Sequence, residues 1–304
     1  MVSVNKLINK IIIPIMVFIY LLFLIYDYKL FDNGNFERIV ENHQNNAKGL
    51  NKVEALILGG SNAAFGISAE QLSKDTHMNW YNASLMHEGF SDNNYHDFIK
   101  KSFVSKRLQI KTIVYSPINH FRDGVIDERS KYKGSINGSN DFRFRPRMSV
   151  LSHLKLIVNG NYKNVLSGFP LPNEYGDFVF EEYLCQESFL EIPFEHEDID
   201  LAASYLVSNI QDYLKFFPNS KILLSHPSEF YGSFYNIKNI SLFQEALNNE
   251  IYNLLKSSSM SDMERVYIAN QAPIMNDRLI CEGKHHLNNL GRVYRTTMVL
   301  KDLP

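Results

Sequence analysis

Five short apolar runs recur between residues 53 and 269, and each gives way to a turn residue. Val53–Leu58 runs into Gly59-Gly60, Met78–Tyr81 into Asn82, and Lys111–Tyr115 into Ser116-Pro117. Lys221–Ser225 runs into His226-Pro227, and Val266–Ala269 closes the series. Strands of a parallel sheet are buried on both faces, so they read as unbroken apolar runs rather than alternating ones. Helical patterns separate or follow them: Ser68–Asp75, Asp92–Leu108, Asp198–Phe216, Leu242–Lys256 and Asn288–Lys301. Strands alternating with helices predict an α/β fold, a parallel five-stranded sheet between two helical layers. In such a sheet a ligand sits at the carboxyl ends of the strands.

Residues 122–197 break this rhythm. They carry Arg143, Arg145 and Arg147, interleaved with Phe142, Phe144 and Pro146, and show no strand–helix unit. An excursion of this length after the third strand is read as a lid or substrate-facing insertion, or as a surface excursion without a role. The three arginines are possible substrate contacts for an anionic group, or a solvated edge.

The N-terminus constrains the compartment. Ile11–Tyr26 is 16 residues without a charge, and Leu7 to Lys10 extend it to 20. About 20 residues cross a bilayer. The bulky Asp27-Tyr28-Lys29-Leu30-Phe31 that follows does not suit a signal-peptidase site, so a retained anchor over residues 1–31 is expected rather than a cleaved leader. Lys6 and Lys10 precede the span, which places the N-terminus in the cytoplasm and the main domain outside. In a bacterium that is the inner membrane, with the domain periplasmic or extracellular. Residues 32–51 read as a linker or short helix, and residues 52–304 as the main domain. With 31 Lys+Arg against 33 Asp+Glu the chain is not a basic nucleic-acid binder. Its 45% apolar and 21% charged residues are those of a folded chain. Cys185 and Cys281 allow one disulfide or none.

Four segments at strand ends carry groups suited to acyl chemistry. Gly59-Gly60-Ser61-Asn62 offers a tight turn and a hydroxyl where a helix begins, although Ser61 also suits a plain helix cap. Asn82-Ala83-Ser84, with Gly89 beyond it, follows the second strand. Asn119 follows the third, beside His120. Cys281-Glu282-Gly283-Lys284-His285-His286-Leu287-Asn288 precedes the last helix. His285-His286 does not read as a metal pair, because adjacent residues rarely face one ion and no third ligand stands at metal spacing.

Taken in order, these segments resemble the four blocks of the SGNH (GDSL-like) hydrolase superfamily. Gly59-Gly60-Ser61 stands where that family has Gly-Asp-Ser, with Gly60 in the place of the aspartate. Asn82-Ala83-Ser84 matches the second block, whose glycine falls nearer His87 than Gly89. The third block, Gly-x-Asn-Asp, matches at Asn119. His286-Leu287-Asn288 matches the tail of the fourth. Glu282 lies four residues before His286, a spacing similar to that of a membrane-anchored, polysaccharide-modifying branch whose last block carries its aspartate at the same distance. His285 is an alternative base at the three-residue spacing, but Leu287, Asn288 and Gly291 fix the register on His286.

The resemblance implies a flavodoxin-like SGNH fold and a triad of Ser61, His286 and Glu282. Its oxyanion hole would be formed by the Ser61 N–H, Asn119 and a second-block amide at Gly89. It also implies a serine esterase or O-acyltransferase acting on acyl groups, most naturally acetyl, of a cell-surface or secreted polysaccharide, without metal or organic cofactor. Transfer would need a polytopic partner that exports the acyl donor. The rival reading is a catalytically degenerate SGNH-like scaffold or glycan-binding component of a polysaccharide assembly complex.

Overall fold

The computed structural model describes residues 14, 18, 20, 21, 41–47, 52–85, 92–117, 172–178, 198–230, 234–258, 260–269, 274–275, 277–282 and 286–304. The chain divides into two units, one of Met1–Ile39 with Ser135–Pro170 and one of Val40–Gly134 with Leu171–Pro304. The second holds the sheet.

Ala55, Leu56, Ile57 and Leu58 are all fully buried, so no polar face interrupts the first strand, β1 (Ala55–Gly59). It pairs in parallel with β2 (Trp80–Asn82) on one side and β3 (Thr112–Ser116) on the other. Beyond β3 lie β4 (Lys221–Leu224) and, after the two-residue β5 (Glu229–Phe230), β6 (Val266–Ile268). The sheet is five-stranded, with order β2-β1-β3-β4-β6 and every pairing parallel. Counting only its own strands, this is the doubly wound order of flavodoxin-like folds. The expected sheet is therefore present. Its strands start one or two residues later than the apolar runs at β1, β2 and β3, because Val53-Glu54 and Met78-Asn79 lead into the ladder rather than join it.

Successive residues of a strand face opposite sides. Ala55 and Ile57 of β1, Val114 of β3 and Leu223 of β4 share one cluster with Ala63, Ile67, Leu72 and Val299. These last four belong to α1 (Ser61–Gly66), the turn after it, α2 (Ala69–Thr76) and the C-terminal helix α7 (Asn289–Asp302). On the other face, Tyr115 of β3 meets Tyr213 of α4 (Ile199–Phe216), ring centroids 5.2 Å apart. His96 of α3 (Asp92–Ser102) meets the same Tyr213 at 5.5 Å. Helices thus cover both faces, and the three-layer arrangement holds. The long α5 (Phe234–Ser258), followed by the single turn α6 (Met260–Met263), packs against α4.

Two helices differ from the sequence expectation. The helix expected over Asp92–Leu108 stops at Ser102. Phe103 turns into the core and is fully buried, a short 3₁₀ turn follows over Val104–Lys106, and Arg107 takes a left-handed φ of 54°. The helix expected from Leu242 begins at Phe234. Two small pairings were not expected: β5 with β7 (Ile274–Met275), and the antiparallel ribbon β8 (Ile280–Glu282) with β9 (His286–Leu287).

Residues 41–47, in the segment read as linker or short helix, are helical, with His43 and Ala47 buried in the core. His43 Nδ1 bonds the Tyr81 hydroxyl at 2.9 Å. The membrane anchor expected over residues 1–31 lies outside the described residues apart from the helical positions 14, 18, 20 and 21. Among the described residues no helix is long and apolar enough to cross a membrane. Most of the expected insertion at 122–197 also lies outside them. The part described between its ends, 172–178, is no surface excursion: Asp177 and Phe178 are buried, and the Tyr175 carbonyl accepts from the Asn82 N–H at 2.8 Å.

Candidate active site at the carboxyl edge of the sheet

β1 ends at Gly59, whose φ of 152° suits glycine, and any Cβ there would run into the Ser116 carbonyl of β3. Gly60 is the N-cap of α1 and caps it without a side chain; its carbonyl accepts from the N–H groups of Ala63 (3.0 Å) and Ala64 (2.9 Å). Ser61 is therefore the first residue inside the helix rather than its cap. It is half-buried at the carboxyl edge of the central strand.

The fourth segment folds back on itself. In the ribbon of β8 and β9, Glu282 is the Cα partner of His286, and Ile280 of Leu287, with an irregularity between Ile280 and Glu282. Four residues apart in the chain, the acid and the histidine are thus cross-strand partners. β9 lies against α1, which brings the His286 backbone next to the helix that begins with Ser61. Three interactions fix this register. Leu287 is buried with Met275 and Ile280. Asn288 is the N-cap of α7, its Oδ1 accepting from Gly291 N (2.9 Å) while its Nδ2 donates to the Arg278 carbonyl (2.6 Å). Gly291 lacks the Cβ that would strike the Leu279 carbonyl. Next to Glu282, Cys281 is buried and disulfide-bonded, and the sequence offers it one partner, Cys185.

The second segment is a bracket. Asn82 is fully buried. Its Oδ1 accepts from Ser84 N (3.1 Å), while its Nδ2 donates to the Ile67 carbonyl (3.0 Å) after α1 and to Asp177 Oδ1 (3.3 Å). The Ala83 N–H donates to Ile57 O and that of Leu85 to Gly59 O, which ties the segment to β1. The Tyr95 hydroxyl accepts from Gly59 N (3.0 Å) and donates to the Ala83 carbonyl (3.1 Å). The third segment is described as far as Pro117. Asn119, Gly89, His285 and the arginines Arg143, Arg145 and Arg147 all lie outside the described residues.

Two residues that the sequence reading passed over belong to this edge. Asp177 receives the Ala69 N–H on Oδ1 (2.8 Å), and the Glu70 N–H and Ser68 hydroxyl on Oδ2 (3.0 Å each), at the start of α2. Arg295 of α7 is fully buried and donates to Asn62, Ser116 and the His226 carbonyl. Burial pulls it down to about 9 and His226 down to about 4. One signal for Arg295 was available: it stands four residues from both Gly291 and Val299, on the buried stripe of its helix.

No protein-family profile and no curated protein sequence matches the chain. Solved structures give distant likenesses. A GDSL-like lipase from Parabacteroides merdae is 10% identical, with a TM-score of 0.38 over 83% of this chain and 96% of its own. An acetyl xylan esterase from Butyrivibrio proteoclasticus is 10% identical, with a TM-score of 0.37 over 82% and 63%. The periplasmic domain of a lipopolysaccharide acetyltransferase from Salmonella Paratyphi A is 12% identical, with a TM-score of 0.35 over 83% and 84%. Similarity at this level assigns nothing to the present chain.

Proposed function

We propose that this chain is an SGNH-type serine esterase or O-acyltransferase that works outside the cytoplasm on O-acyl groups, acetyl above all, of a cell-surface or secreted polysaccharide. The observation that carries the reading is one arrangement: Ser61 opens a helix at the carboxyl edge of the central strand, the strand of His286 lies against that helix, and Glu282 is the Cα partner of His286.

In this reading His286 takes the Ser61 proton as the hydroxyl oxygen attacks the acyl carbonyl, and Glu282 stabilises the imidazolium. The Ser61 N–H, Asn119 and a second-segment amide at Gly89 receive the oxyanion. The sugar oxygen leaves with the proton from His286. Water or a second sugar hydroxyl then attacks the acyl-enzyme, gives its proton to His286 and frees Ser61. Transfer would draw on an acyl donor exported by a polytopic partner. Arg143, Arg145 and Arg147 would meet an acidic glycan.

The disulfide at Cys281 supports an oxidising compartment. The uncharged run Ile11–Tyr26, preceded by Lys6 and Lys10, supports a single inner-membrane anchor with the domain on the far side. The deciding experiment is labelling of the detergent-solubilised chain by a fluorophosphonate. Labelling that vanishes in Ser61→Ala establishes the activated serine. An unlabelled wild type turns the reading toward a degenerate scaffold.

A further inference from the structure

Arg295 reaches the ends of three neighbouring strands with one side chain. Nη1 donates to Asn62 O (2.7 Å), to Asn62 Oδ1 and to Ser228 Oγ (3.4 Å). Nη2 donates to Ser116 Oγ (2.6 Å) and to the His226 carbonyl (3.0 Å). Asn62 follows β1, Ser116 ends β3 and His226 follows β4. Asn62 closes the set by donating from Nδ2 to Ser116 Oγ (3.3 Å) and to the Pro117 carbonyl. Room for the guanidinium exists because residue 66 is glycine: a Cβ there would strike Nη1.

Two facts make this more than packing. The guanidinium is at 0% exposure, and among the described residues no carboxylate pairs with it. Among the described residues its buried Nε has no hydrogen-bond partner. A buried cation lacking a counter-charge is costly, and an apolar residue of similar volume commonly holds a core at least as well. The charge therefore calls for a task at this place, and the residue next to its main acceptor is Ser61.

We propose that Arg295 is a positioning residue of the serine site, a proposal that rests on Ser61 being the nucleophile. Its planar fork locks the Gly60–Asn62 turn to the ends of β3 and β4. Its positive charge favours the negative charge that forms as Ser61 attacks, acting through the Asn62 and Ser116 groups it polarises. It touches neither substrate nor leaving group.

The test compares full-length wild type, Ser61→Ala, Arg295→Lys and Arg295→Met in detergent. It reads fluorophosphonate labelling rate and endpoint, kcat and KM on 4-nitrophenyl acetate, and thermal melting. Arg295→Met strips five acceptors and puts folding at risk, so Arg295→Lys, which keeps the charge and loses the fork, carries the decision. Its labelling rate and kcat should fall together by about tenfold to hundredfold, a loss on the scale of a misplaced reacting group. KM should stay within about twofold and the endpoint should remain that of wild type. A folded Arg295→Met should lose more, with lysine recovering part of the difference. A lower endpoint at unchanged rate marks a purely structural arginine and overturns the proposal. So does an Arg295→Lys that matches wild type, or one whose loss lies wholly in KM. A wild type that takes no label sinks the serine reading and this proposal together, an outcome distinct from those.

Discussion

Glu282 and His286 stand opposite one another as Cα partners in the antiparallel ribbon of β8 and β9. In the proposed triad Glu282 is the acid that orients His286. Glu282→Gln should keep the fold and lower kcat by about 10²–10⁴-fold, as expected when a histidine loses the acid that fixes its tautomer. Asp277→Asn, in the turn before the ribbon, should change kcat little. Steady-state kinetics on both variants decides this, and equal losses would reject the pairing as the triad's acid and base.

Asp177 anchors a helix that lies more than a hundred residues earlier in the chain, taking both the Ser68 hydroxyl and the Ala69 and Glu70 amides. Asp177→Ala should cost about 2–4 kcal/mol, since several buried donors lose their acceptor together. Urea unfolding measures it. A change below about 0.5 kcal/mol, the size seen at ordinary surface sites, would show that the bracket is not structural.

Acid should loosen the fold. Burial holds His43 down to about 3 and His226 down to about 4, against an ordinary value of 6.5. Below that ordinary value the unfolded chain takes up protons that the folded chain refuses. Stability therefore falls as pH drops, by up to about 1.4 kcal/mol per pH unit for each histidine. The urea midpoint should be lower near pH 5 than near pH 7.5. His43→Phe should lower the midpoint at both, through loss of the Tyr81 bond, while narrowing the gap between them.

The cysteines give a test of compartment. Protein prepared without reductant should show no free thiol on unfolding. Cys281→Ser should lower stability by about 2–5 kcal/mol, the usual effect of removing a native disulfide. A reactive thiol in the unreduced chain would argue against an oxidising compartment.

The sheet was legible because its strands are buried on both faces and leave unbroken apolar signatures. Leu56, Ile57 and Leu58 could hardly lie elsewhere. The start of α5 was not legible, since Tyr235, Asn236 and Asn239 are poor helix formers. Ser61 and the Glu282–His286 spacing stood out in the chain, but the cross-strand pairing that reconciles that spacing needs the fold. Asp177 left no trace, because nothing local to Gly176-Asp177-Phe178 tells which helix it will meet. Arg295 was visible as an arginine on a core-facing stripe, yet its acceptors come from three separate strand ends.

Between Pro117 and Pro172 the chain leaves the sheet and returns, and both departure and return are held by side chains or amides of the first βα units. The Pro117 carbonyl accepts from Asn62, and the Tyr175 carbonyl from the Asn82 N–H. With these two ends fixed, the length of chain between them bears on the fold mainly through closure entropy. Doubling that length costs only about 0.6 kcal/mol in closure entropy. Length changes placed beyond Asn119 and before Pro172 should therefore cost the sheet little, and a graft between these two posts is where an engineer would begin.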